Sequence, residues 1–261
     1  MTRLALVPLF ILLTLVIGSL LALIFQLDLA TLGHILFEPE LHFALLLSLI
    51  TAATALLLSL LLGVPAAWAL VRQPLPAKRL MNLLLDLPLV MPPLVVGMGL
   101  LLLLGQQGPL SAVAPQMSRL LFSPLGIVIA QTYVASAIVL RSASAAFGAL
   151  DPAYVTTAFN LGLSPIRTFL LVEIPLCRQA LLSGAVLALA RALGEFGATL
   201  MLAGMVRMKT ETLPMAIFLN ISSDDFPLAV GCALLLMLLA CVLLLVLQWL
   251  NPPAVRSYAG H

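Results

Sequence analysis

The feature that most constrains this chain is a succession of apolar runs, each about as long as a bilayer is thick. A hydrocarbon core of about 30 Å takes roughly 20 residues of helix to cross. Leu4 to Phe25 is the first such run, 22 residues without a charged side chain. The others lie at about 43–71, 80–104, 125–147, 180–203 and 227–250. Only 8% of the 261 residues are charged, where a soluble domain carries about 25%. So few charges cannot clothe an aqueous surface, and a hydrophobic content of 63% excludes disorder. The chain therefore reads as an all-α integral membrane protein with six transmembrane helices. Its short connections make residues 1–261 a single transmembrane domain. A net charge of +2 is too small to point to nucleic acid. Cys177, Cys232 and Cys241 lie in or beside apolar runs and read as small core residues, with no metal-ligand spacing.

Arg3 gives the first run a basic start, as in a signal peptide. The run is longer than the usual h-region of about 7–15 residues, and no small-x-small cleavage site follows, so a retained helix is expected. Orientation follows from the cations. Arg3, Arg72, Lys78, Arg79, Arg141, Arg167, Arg178 and Arg256 fall in alternate connections or ends, eight on one side. Arg119, Arg207 and Lys209 fall on the other. That bias predicts both termini in the cytoplasm, with Trp68 and Trp249 at cytoplasmic helix ends.

The stretch 149–179 is the longest cytoplasmic connection. Asp151 and Pro152 read as an N-cap followed by proline at the first helical position. About two turns follow from Ala153 to Leu161, and Gly162 is placed to end them in a left-handed conformation. Pro165 opens a second short helix, and Pro175 marks the start of the next span. On residue chemistry alone, this is either a rigid knob across the membrane surface or an ordinary amphipathic linker.

The segment Thr156-Thr157-Ala158-Phe159-Asn160-Leu161-Gly162, then nine residues, then Val172-Glu173-Ile174-Pro175, resembles the E-A-A-x3-G-x9-I-x-L-P signature of ABC importer permeases. Threonines stand where the family has its acidic residue and first alanine. Leu87 to Gly97, Ala190 to Thr199, and Thr210-Glu211-Thr212-Leu213-Pro214 resemble the molybdate and sulfate branch of these permeases, nearest the molybdate subunits. The resemblance runs from about residue 40 onward and implies a type I ABC importer permease fold with a cytoplasmic coupling helix between helices 4 and 5. It implies that Asp151, Pro152, Tyr154, Thr156, Thr157, Ala158, Asn160, Leu161 and Gly162 meet a cytoplasmic ATPase subunit. The partners implied are a second copy of the chain, two ATP-binding subunits and a periplasmic substrate-binding protein, in the bacterial inner membrane. Molybdate or tungstate is the implied cargo, with sulfate, another anion or ferric iron as alternatives.

The chain has no G-x-x-x-x-G-K-[ST] phosphate loop. It is therefore expected to be no enzyme and to hold no cofactor, with ATP and magnesium on the partner subunit. Arg191 and Glu195 read as the ionisable residues deep inside a span. Their i, i+4 spacing allows them to pair on one helical face, turned away from lipid. They form either a structural clamp or a gate. Pro92 and Pro93 are placed to break the third helix and free carbonyls toward a cavity. Ala190, Gly194 and Ala198 have small-xxx-small spacing, which serves helix packing, a shared pore between two fifth helices, or both. Pro92, Pro93, Arg191, Gly194, Glu195, Gly197 and Thr199 are the candidate pathway or gate residues. No cluster of anion-binding side chains occurs in the spans, so selectivity is expected in the separate binding protein. His34 and His42 read as solvated interface residues, Met201, Met205 and Met208 as packing or lipid-facing rather than metal-binding, and Asp224-Asp225 as a helix-start cap or an acidic contact for a docking protein outside. An ion-gradient-driven secondary transporter is the rival class, and a purely structural membrane subunit a second. Several intramembrane carboxylates or an internal repeat would favour the former, and an ATPase that co-purifies excludes both.

Overall fold

The computed structural model describes residues 6–26, 33–106, 108–110 and 115–250. Arg3 and Arg256, which enter the charge bias, lie outside the described residues. Helix α1 is Leu6–Phe25, and none of its residues is buried. A helix apolar on every side with no buried face is built for hydrocarbon. Helix α2, Pro39–Arg72, has 34 residues and so is about 50 Å long, well beyond the apolar run that predicted it. It carries Pro65 in its interior.

The third apolar run is two helices. Helix α3, Lys78–Val90, and helix α4, Pro93–Leu104, meet at an angle of 115°. The residue before a proline is pushed to extended backbone, and Met91 and Pro92 both adopt ψ near 140° (139° and 136°). Pro92 and Pro93 lack an N–H, so the break leaves fewer unpaired donors than other residues would. Helix α5, Pro124–Ala149, is capped by Ser123, whose hydroxyl accepts from the Leu125 N–H at 3.2 Å.

Two short helices follow: α6, Pro152–Asn160, and α7, Pro165–Thr168. A π-helical turn, Phe169–Glu173, then leads into α8, Ile174–Leu193. The fifth run was expected to be one helix over 180–203. Instead α8 starts six residues earlier and stops at Gly194, and a separate helix α9 occupies Gly197–Ala203. Gly194 takes φ −86°, ψ 7°, and Phe196 φ −121°, ψ −54°, so the helix is interrupted between them. Beyond it lie α10, Leu213–Ser222, in what reads from the sequence as a connection, and α11, Phe226–Leu250. Asp225 caps α11, with Oδ1 accepting from the Leu228 N–H at 3.3 Å. Among the described residues, five helices are long and apolar enough to cross a membrane, with Pro165–Leu193 taken as one, or six if α3 and α4 count as one broken span.

The chain divides into two compact units. One comprises Met1–Ser48 and Met205–Leu239. Its core joins Ile35, Leu41 and Ala44 to Leu213, Ala216, Leu228 and Cys232. The other comprises Leu49–Gly204 and Ala240–His261. One of its cores packs Ala67 and Leu70 of α2 against Leu140, Ala143 and Phe147 of α5 and Cys177 of α8. Its second core joins Val96 and Leu104 of α4, Ala130 of α5, and Ala198 and Leu202 of α9.

Candidate functional site

The two helix breaks of the larger unit come together. A Cβ added to Gly197 would lie 2.9 Å from Pro93 Cβ and 3.1 Å from Leu94 N. One added to Gly97 would lie 2.8 Å from Ala198 Cα. Helices α4 and α9 therefore meet backbone to backbone, which only glycine permits here. Beside this contact is an open cavity of about 370 Å³, lined by Pro92, Pro93, Leu94, Arg191, Gly194, Glu195, Phe196 and Gly197. Six of the seven candidate pathway residues thus surround one space. The seventh, Thr199, is fully buried in α9 and does not line the cavity.

Arg191 Nη1 lies 2.5 Å from Glu195 Oε2, so the expected pair forms. Its setting differs from the expectation. Arg191 sits in the last turn of α8, where a cation complements the helix dipole. Glu195 sits in the break, so the two share no continuous helical face. The other oxygen of Glu195 accepts from the Ala198 N–H at 2.9 Å and caps the first turn of α9. Glu195 is buried while the Arg191 side chain is 35% exposed, which puts the cation on the cavity side of the pair. Gln131 of α5 donates to the Ala192 carbonyl at 3.0 Å, satisfying an acceptor that the end of α8 leaves free. The break also interrupts the Ala190–Gly194–Ala198 series. The close approach of α8 to α5 is at Gly184 instead, where an added Cβ would fall 2.5 Å from Ser142 Cβ.

The α6 segment is closed at both ends. Asp151 Oδ1 accepts from the Ala153 N–H at 2.9 Å, and Thr156 Oγ1 donates to the Pro152 carbonyl at 3.0 Å. At the far end Gly162 has φ 82°, its N–H reaches the Phe159 carbonyl at 2.9 Å, and the Leu163 N–H reaches that of Ala158 at 3.0 Å. This is the left-handed termination that Gly162 implied. Ala158 is buried, whereas Tyr154, Thr157, Phe159, Asn160 and Leu161 are exposed, Leu161 to 77%. A short helix so fixed presents a firm apolar face.

Two polar groups escaped the sequence reading. Glu173, 1% exposed, accepts from Trp68 Nε1 at 2.9 Å and from Arg72 Nε at 2.8 Å. A lone carboxylate in the apolar stretch Phe169–Leu176 was the available signal. The premise that Arg191 and Glu195 stand alone among intrahelical charges also fails. Arg141, counted as a connection residue, lies inside α5 and pairs at 2.9 Å with Asp86 of α3.

The smaller unit holds a third cluster. Arg207 donates to Asn220 Oδ1 at 2.9 Å and to Ser223 Oγ at 2.6 Å, and lies 3.6 Å from Glu40 Oε2. Asn220 Nδ2 donates to Glu40 Oε1 at 2.8 Å. Glu211 is fully buried, with Oε2 accepting from the Met208 N–H at 3.0 Å. Burial pushes its carboxyl up to about 7, and the neighbouring Glu40 adds to the rise, against the pull of the Met208 N–H and the Arg207 charge. An unfolded chain ionises this group near 4.5. Between about 4.5 and about 7 the folded state therefore holds the extra proton, and stability falls as pH rises through that window. Glu211→Gln should flatten that slope, measured as thermal unfolding in detergent at pH 5 and pH 8. An unchanged slope would place its origin in another group.

Comparison with known proteins supplies the family. The family described as binding-protein-dependent transport system inner membrane component matches residues 59–256. The chain belongs to that family. It is 37% identical over 227 residues to the molybdenum transport system permease protein ModB of Mycobacterium tuberculosis, covering 87% of this chain and 86% of the relative. It is 29% identical over 252 residues to the sulfate transport system permease protein CysT of Salmonella typhimurium, covering 96% and 91%. Among solved structures, a bacterial ABC transporter involved in import of the acidic polysaccharide alginate matches with a TM-score of 0.69 at 15% identity. That match covers 96% of this chain and 93% of the other. The regular structure among the described residues is all helical, the chain has the type I importer permease fold, and as a member of an inner-membrane transport family it is a multi-pass membrane protein.

Proposed function

We propose that the chain is the transmembrane subunit of an ATP-driven importer carrying an oxyanion, with molybdate or tungstate as the cargo. Two copies form the pathway about a two-fold axis. Both termini lie in the cytoplasm, the side toward which the Lys and Arg bias points. On that side each α6 seats in an ATPase subunit, which binds ATP and magnesium. A periplasmic binding protein delivers the anion at the opposite face.

The observation that carries this reading is the capped α6 helix, held between Asp151 and Gly162 with Tyr154, Phe159 and Leu161 outward. Surface apolar side chains on a fixed element serve as an interaction site. Closure of the ATPase dimer draws the two α6 helices together and tips the bundle between inward-facing and outward-facing packings. Nucleotide on one side and loaded binding protein on the other bias that equilibrium. Arg191, Glu195, Gly194, Gly197 and the Pro92–Pro93 break form the gate along the path. The molybdenum permease relative, at 37% identity, favours molybdate over the sulfate permease relative, at 29%.

The test is to purify the chain with its genetic neighbours, reconstitute the complex, and follow uptake of radiolabelled molybdate and sulfate. Molybdate uptake that needs both ATP and binding protein is expected. Uptake driven by an ion gradient without an ATPase would overturn the class. Preference for sulfate would overturn only the cargo. Gly162→Lys should leave the chain folded yet uncoupled, because a left-handed position strains any side chain by about 1–2 kcal/mol and misplaces the knob. Normal transport by that variant would remove α6 as the docking element.

A further inference from the structure

The strongest feature outside the cavity is the carboxylate of Glu173. It closes the π-helical turn Phe169–Glu173, immediately before α8. Both of its oxygens are used. Oε1 accepts from the Trp68 indole N–H at 2.9 Å, and Oε2 lies 2.8 Å from both Arg72 Nε and Arg72 Nη2. Arg72 Nη2 also donates to the Phe147 carbonyl at 3.1 Å. That carbonyl belongs to the last turn of α5, whose acceptors have no partner within the helix. The rings repeat the same connection. Phe169 lies 5.1 Å from Trp68 and 5.9 Å from Phe147, centroid to centroid.

One side chain therefore ties the end of α2, the end of α5 and the start of α8 together, directly after the α6–α7 segment. A π turn is a poor helix geometry, and such turns concentrate at functional sites. Here it aims both the Phe169 ring and the Glu173 carboxylate at Trp68 and Arg72. A buried carboxylate supplied with several N–H donors, one pair from a planar guanidinium, is rigid and directional.

We infer that Glu173, through Trp68 and Arg72, is the positioning residue that makes α2, α5 and α8 follow α6, so that displacement of the docking segment reaches the break at Gly194. This rests on the docking role proposed for α6. Glu173 touches neither cargo nor nucleotide and acts by transmitting position.

Glu173→Gln keeps the volume but turns an amide toward donors, so Arg72 loses an acceptor. Arg72→Lys keeps the charge but loses the planar fork and its reach to Phe147. Trp68→Phe keeps the ring against Phe169 and removes only the N–H. The experiment uses the full complex in lipid nanodiscs and proteoliposomes, with molybdate-loaded binding protein. It reads ATPase co-purification, basal hydrolysis, stimulation by the loaded binding protein, and anion transported per ATP.

For Glu173→Gln and Arg72→Lys, co-purification and basal hydrolysis should persist. Stimulation and transport per ATP should fall at least about tenfold, the scale of one charge-assisted hydrogen bond. Trp68→Phe should lose about threefold, as for one neutral hydrogen bond. Transport per ATP at the wild-type value in Arg72→Lys and Trp68→Phe would overturn the inference. So would a loss that merely tracks the loss of folded protein, since a structural brace lowers yield and melting temperature without changing the ratio. Should Glu173→Gln not accumulate, the other two variants decide by the same criteria. If the wild-type chain binds no ATPase, the docking role fails instead, and that failure is visible before any variant is made.

Discussion

Leucine in place of Gly197 is expected to stop uptake. An added Cβ there falls 2.9 Å from Pro93 Cβ and 3.1 Å from Leu94 N, and backbone cannot swing aside as a flexible side chain can. Overpacking of this kind costs about 1–3 kcal/mol of stability. The damage to transport should exceed the damage to folding, because the contact joins the ends of two broken helices at the cavity wall. Gly99→Ala is the control. It changes α4, the other helix of this contact, at a position with nothing within 4 Å of an added Cβ. Uptake in proteoliposomes and thermal unfolding in detergent, measured on both variants, separate the effects. A Gly197→Leu protein that transports at the wild-type rate would show that α4 and α9 need not approach closely in any state of the cycle.

Arg191→Ala should be the most destabilising single change among the residues lining this cavity. It leaves the buried Glu195 carboxylate with the Ala198 N–H and no cation. Removing one partner of a buried ion pair costs about 3–5 kcal/mol. Glu195→Gln should cost less, since an amide oxygen can still cap α9 and the Arg191 cation it leaves unpaired is 35% exposed rather than buried. The double variant Arg191→Ala/Glu195→Gln should therefore recover much of the stability lost by Arg191→Ala. Double-mutant analysis of the unfolding midpoints measures this coupling. Additive effects would mean that Glu195 is hydrated through the cavity and the pair holds nothing together. Transport by the recovered double variant then separates a gate from a clamp. A stable protein with altered transport or basal ATPase stimulation is the result expected of a gate.

The sequence was most informative where local chemistry dictates backbone. Asp151-Pro152 and Gly162 specify the two ends of α6 with little help from the rest of the fold, and both ends formed as expected. Pro92-Pro93 likewise announced the break between α3 and α4. The break at Gly194 was hidden, because Ala190 to Ala203 contains no proline, and glycines such as Gly194 and Gly197 are frequent in unbroken membrane helices. Only the tertiary arrangement reveals it, through Glu195 capping α9 and Gln131 donating to the Ala192 carbonyl. The Glu173 brace was hidden for another reason. Its partners Trp68 and Arg72 lie more than 100 residues away, and a charge balance by connection cannot tell a solvated arginine from a bound one. The same arithmetic misplaced Arg141, which sits inside α5 beside Asp86.

Helix α8 has irregular backbone at both ends, the π turn at Phe169–Glu173 and the interruption after Leu193. Between them run 20 residues of unbroken α-helix, a stiff rod about 30 Å long. A rod braced at one end through Glu173 and interrupted at the other behaves as a lever. Tilting it by about 5° carries its far end through roughly 2.6 Å. That travel exceeds the gap of about 0.5–1 Å at which atoms in van der Waals contact lose much of their attraction. A rotation too small to disturb the packing along α8 is therefore enough to make or lose the α4–α9 contact. The mechanical gain of the permease would lie in the length of this one helix, and lengthening or shortening it by a turn should change the stroke without changing either end.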